Sequence, residues 1–142
     1  MKDNARKTWI VVADGGHARI LLNTHRDEGV TELPMLSKHE PRLAHHREEL
    51  AAGVHHTPVF KPTQEKRDED QFLNTLAETV QTGVARKECE QLVLVAPATA
   101  MGLLRNALSK ETHKHIVAEI VHDYTHQSNE FVYDHVKEKL PL

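Results

Sequence analysis

Two short apolar runs, Thr8–Ala13 (TWIVVA) and Gln91–Ala96 (QLVLVA), constrain this chain more than any other feature. A continuous apolar run of this kind is expected of a strand covered on both faces. Asp14-Gly15-Gly16-His17 follows the first run, and Ala18–Asn23 (ARILLN) returns after it. Asp-Gly between apolar runs is a hairpin signal, since glycine supplies the positive φ that a tight turn uses. Val30–Leu36 (VTELPML) alternates and predicts a third strand. Pro34 has no N–H to donate, so that strand belongs at an edge or ends early. The start of the chain is thus predicted to be a three-stranded meander.

Ser37–Thr63 has no sustained periodicity and contains Pro41, Pro58 and Pro62. A loop of that length is usually functional or disordered, and this one is predicted to be long and mobile. Within it, Arg42–Ala52 is compatible with a short helix. From Gln64 the pattern turns helical. Phe72, Leu73, Leu76, Ala77, Val80 and Val84 repeat at three and four residues and form one apolar face. Pro97 ends the second apolar run. Ala98–Leu108 predicts a helix, with a further turn at Ser109–His113. His115–Val121 predicts a fifth strand. Ser128 is placed to cap a last helix with Phe131, Val132, Val136 and Leu140 inward.

The order is β-β-β, long loop, α-β-α-β-α. It predicts an α/β domain spanning residues 1–142, with helices covering a mixed five-stranded sheet. If strands one, three, four and five point the same way, Asp14–His17, Pro97–Thr99 and His122–Thr125 all emerge at its carboxyl edge. Open α/β sheets bind ligands at that edge.

At 142 residues the chain is long enough for a single domain with a real core. One cysteine rules out an internal disulfide. No apolar stretch suits a signal peptide or a membrane span, so the expected location is the cytoplasm, with no membrane partner. The net charge of −3 argues against wholesale nucleic-acid binding. The twelve histidines are the compositional outlier. Ser37–Arg67 carries a net +2, rising to +7 if its five histidines protonate.

WIVVADGGHARILLN, EDQFLNTLAETV and QLVLVAPATAMGLLRNAL together resemble the bacterial host-attachment protein family across nearly the whole chain. The same succession is similar to the middle domain of archaeal and eukaryotic class-one peptide release factors and of Pelota. In release factors the long loop bears a Gly-Gly-Gln motif that enters the ribosomal peptidyl-transferase centre. Ser37–Thr63 has no such motif, and Gly15-Gly16 precedes His17 in a hairpin. The resemblance therefore implies the fold and a ribosome or RNA partner, without peptide release.

Three chemistries can be built from these residues. In the first, His113, His115, Glu119, His122 and His126 offer metal ligands, imidazole suiting zinc, copper or nickel. On a strand, however, the first two sit at the opposite end from His122 and His126. His45 and His46 are followed one helical turn later by Glu49 and Leu50, which is at best one two-ligand pair. In the second, Asp14, His17, Thr99, His122 and Asp123 assemble acid/base groups at the carboxyl edge. Asp14 also suits a turn and Thr99 a helix cap. Cys89 has no base partner in sequence. In the third, the amides opening the helix at Ala98 bind phosphate, together with basic residues of the nearby loop.

The favoured reading is a binding module without a cofactor. Its contact residues would be Asp14, Gly15, Gly16, His17, Arg42, His45, His46, Arg47, His55, His56, Lys61 and Thr99. RNA, the ribosome or another protein is the candidate partner. A His-based enzyme, or a metal site at His122 and His126, is the alternative. Phe60 is the loop's single aromatic residue, which argues against sequence-specific recognition of single strands.

Overall fold

A computed structural model describes residues 6–25, 28–33 and 61–140, with side chains of the first helix described from residue 67. Five strands, β1 (Thr8–Ala13), β2 (Ala18–Asn23), β3 (Thr31–Glu32), β4 (Gln91–Ala96) and β5 (Ile116–Val121), form one mixed sheet in the order β3-β2-β1-β4-β5. β1 pairs antiparallel with β2, and β2 with β3. β4 runs parallel to β1, and β5 parallel to β4. The helices are α1 (Lys61–Ala85), α2 (Ala98–Ala107), the single turn α3 (Lys110–His113) and α4 (Asn129–Val136), followed by a 3-10 turn at Lys137–Lys139.

Both apolar runs are covered on both faces, as their composition predicts. Trp9, Val11, Ala13, Leu92, Leu94 and Ala96 pack toward α1 and α2. Ile10, Val12, Val93 and Val95 pack toward Val132, Tyr133 and Val136 of α4. Consecutive strand residues thus serve two different cores. The six predicted apolar residues of α1 are all buried. Ser128 caps α4, its Oγ accepting from Phe131 N at 3.0 Å. Phe131 and Leu140 are only half-buried, and Tyr133 joins Val132 and Val136 inside.

Four expectations need correcting. β3 is two residues long, and the described chain stops at Leu33, just before Pro34. α1 begins at Lys61, so Lys61–Thr63 belong to a helix and not to the preceding loop. Pro97, not Thr99, is the N-cap of α2, and Thr99 lies exposed in its first turn. Gly29 alone among the described glycines has a positive φ, so neither Gly15 nor Gly16 supplies one. The hairpin turn is instead held by Asp14. Residues 34–60, including Arg42, His45, His46, Arg47, His55 and His56, lie outside the described residues.

Cys89 is buried just before β4, and its Sγ donates to Gln91 O at 3.3 Å. Burial pushes its thiol up to about 12. The thiolate is the reactive form, so dithiobis-nitrobenzoate is expected to label Cys89 only as fast as the protein opens. Rapid stoichiometric labelling of native protein near neutral pH would contradict this.

Candidate functional site

Parallel placement of β1, β4 and β5 brings Asp14, Pro97 and His122 to the same edge of the sheet, as the element order requires. Asp14 organises the β1–β2 turn. Its Oδ1 accepts from Gly16 N at 2.8 Å and His17 N at 2.7 Å, and its backbone N–H donates to His17 O. This is an aspartate-capped turn that needs no left-handed residue. Gly15 is instead closely approached by the end of a flexible side chain. A Cβ there would lie 2.5 Å from Glu69 Oε2 of α1.

The turn after β5 is tied to this hairpin across the sheet. Thr125 Oγ1 approaches Asp14 Oδ2 at 3.2 Å and Asp123 Oδ1 at 2.6 Å. A hydroxyl has one proton, so the shorter contact to Asp123 holds it most of the time. Arg19 of β2 reaches the same turn. Its guanidinium donates to Thr125 O at 2.8 Å and to Gln127 O. Asp14, Arg19, Asp123 and Thr125 therefore form one connected latch.

The Thr125 hydroxyl and amide hold the Asp123 carboxyl below its ordinary range, helped by His126 and His17 nearby. Asp123 is exposed, so its energetic weight is small. A depressed folded pKa means the contribution is present above the unfolded value of 3.8 and lost as pH falls through the folded one. Thr125→Val is expected to raise the Asp123 titration midpoint in a carboxyl-carbon NMR titration. An unchanged midpoint would show that the hydroxyl does not set it.

The structure brings together Asp14, His17 and Asp123 of the predicted acid/base group. His17 Nδ1 lies 3.5 Å from Asp14 Oδ1, with the imidazole side chain 73% exposed. That carboxylate oxygen already accepts two backbone amides, so the pair is a solvated turn contact and not a buried dyad. His122 is exposed and stacks on Tyr124.

At the other end of β5, His113 Nε2 contacts Arg105 O and His115 Nδ1 contacts Glu90 O. Glu119 pairs with Arg105 at 3.1 Å. Among the described residues no three His, Cys, Asp or Glu side chains converge as a metal site would need. The helix start at Ala98–Met101 lies at the correct edge, and among the described residues no side chain caps it.

Sequence reasoning missed Arg19, Thr125 and Glu69. Each acts on a residue distant in the chain, and nothing in its local pattern marks it. A separate groove of about 510 Å³ lies between Glu28–Val30 and α4. Glu28, Glu130 and Asp134 line it with Lys137, which suits a phosphate poorly. No helix among the described residues is long and apolar enough to cross a membrane.

Residues 9–136 match the model of a family described as a protein required for attachment to host cells. No curated protein matches the chain.

Proposed function

We propose, for a chain that belongs to the family of proteins required for attachment to host cells, a non-catalytic binding module that meets RNA, including ribosomal RNA, through the carboxyl edge of its sheet. The observation that carries this reading is the open edge itself, with His17, His122 and His126 all exposed around a latch built from turns. Its carboxylates are committed to turn amides and a threonine hydroxyl, which suits scaffolding better than proton transfer. The likeness of the element order to release-factor middle domains supports a ribosomal partner, as an argument from fold alone.

Charge sets the conditions. At neutral pH, Asp14 and Asp123 counter the positive charge of Arg19, so phosphate gains little. The five histidines at positions 39–56 supply the switchable charge, adding positive charge as pH falls toward 6. Phosphate contacts dominate such binding and make it salt-sensitive.

RNA affinity and ribosome co-sedimentation are therefore expected to rise as pH falls from about 7.5 to about 6, across the ordinary histidine range. Both should fall with added salt. Replacing Arg42, Arg47 and Lys61 by alanine is expected to weaken binding and flatten the salt slope. Replacing His39, His45, His46, His55 and His56 by glutamine should remove most of the pH effect. Absence of RNA and ribosome binding at low salt at both pH values would overturn the proposal. A metal site has the opposite pH trend, because protons compete with the metal. Stoichiometric metal binding lost on replacing His122 and His126 would favour that alternative.

A further inference from the structure

The strand-end and helix-start segments at this edge bring four rings together. His122 and Tyr124 stack at 5.3 Å between centroids, 3° from parallel. Tyr124 meets Phe131 edge-on at 5.2 Å, and Phe131 packs on His135 at 4.2 Å. His135 also lies 5.6 Å from Tyr124. The backbone holds this group in place. His122 N donates to Ile120 O, Gln127 N to Tyr124 O, and Phe131 N to the capping Ser128 Oγ. His135 Nδ1 contacts Phe131 O at 2.9 Å. Tyr124 and Phe131 are half-buried, whereas His122 is exposed at the end of the row. One face of its imidazole rests on Tyr124.

We infer that this row is a stacking platform for one unpaired nucleobase, which would continue the stack over His122. The inference rests on the reading of the carboxyl edge as an RNA-binding face, and it names the part of RNA recognised there. A flat aromatic surface accepts any base, because every base has a π-face. The neighbouring groups favour a nucleotide over an apolar peptide. His126 lies on the same turn and His17 on the hairpin tied to it through Asp14 and Thr125, both exposed, so imidazoles border the platform together with the Asp123 carboxylate. A nucleotide presents a plane and an anion side by side, and this surface offers a partner for each.

The test compares two fluorescent probes at about pH 6 and low salt, where phosphate contacts are strongest. One is an oligoadenylate of roughly ten nucleotides, and the other has the same backbone with abasic riboses. The base-bearing probe is expected to bind about tenfold tighter. His122→Leu and His122→Phe both remove the ionisable ring, so they should weaken the abasic probe alike, and only His122→Leu should erase the base-dependent difference. His122→Phe restores a plane without a charge and should recover the difference. Equal affinity of the two probes for the unaltered protein would overturn the platform and leave the phosphate-binding reading standing. A base advantage that survives His122→Leu would also overturn it, by placing stacking elsewhere. Failure of both probes to bind would remove the RNA reading together with this inference.

Discussion

Trp9→Ala is expected to lower stability by about 3–5 kcal/mol, a large share of the roughly 5–15 kcal/mol that holds a domain together. Trp9 is 2% exposed on the sheet face that meets α1 and α2. Its indole fills the space left by Gly83 in α1, where a Cβ would lie 2.2 Å from Cη2. Gly83→Ala therefore forces the helix or the indole to move. Overpacking costs about 1–3 kcal/mol, offset in part by the roughly 1 kcal/mol gained in helix propensity. The two substitutions should be coupled. In the Trp9→Ala background the Gly83→Ala methyl enters a cavity, so it should be neutral or stabilising. Urea unfolding of all four proteins gives the coupling, expected at about 1–3 kcal/mol. Additive effects would show that Gly83 and Trp9 do not constrain one another.

Arg19→Met is expected to cost about 2 kcal/mol, with its effect confined to the carboxyl edge. Two hydrogen bonds from a charged donor tie β2 to Thr125 O and Gln127 O. Among the described residues the buried Arg19 Nε has no partner, which offsets part of the gain. Arg19→Lys should recover little, because an ammonium lacks the planar fork that reaches two carbonyls at once. Amide exchange is expected to quicken across residues 122–128 and to stay unchanged in β1 and β4. Unaltered exchange in 122–128 would mean that the turn holds its shape without the guanidinium.

The sheet was legible because its signals are local. The apolar runs at Thr8–Ala13 and Gln91–Ala96, the three-and-four spacing from Phe72 to Val84, and Ser128 ahead of Phe131 each act within a few residues. Strand directions then followed from the order of elements, and they placed Asp14 and His122 at one edge. Contacts between residues far apart in the chain were not legible. Gly83 reads as a weak helix position until Trp9 is seen above it. Gly15 reads as a left-handed turn residue, whereas its lack of a Cβ makes room for Glu69. The aromatic row was hidden for the same reason. Tyr124 and Phe131 look unremarkable in sequence, and the turn between β5 and α4 brings them together.

The central claim is that the carboxyl edge is the face that binds. Its most direct test is the footprint of a short RNA on the protein's amide NMR spectrum, recorded at about pH 6, where histidines protonate. Shifts are expected at Asp14–His17 and His122–Gln127, with the groove lined by Glu28, Glu130 and Asp134 unchanged. Shifts confined to that groove, or an unperturbed edge under saturating RNA, would contradict the claim.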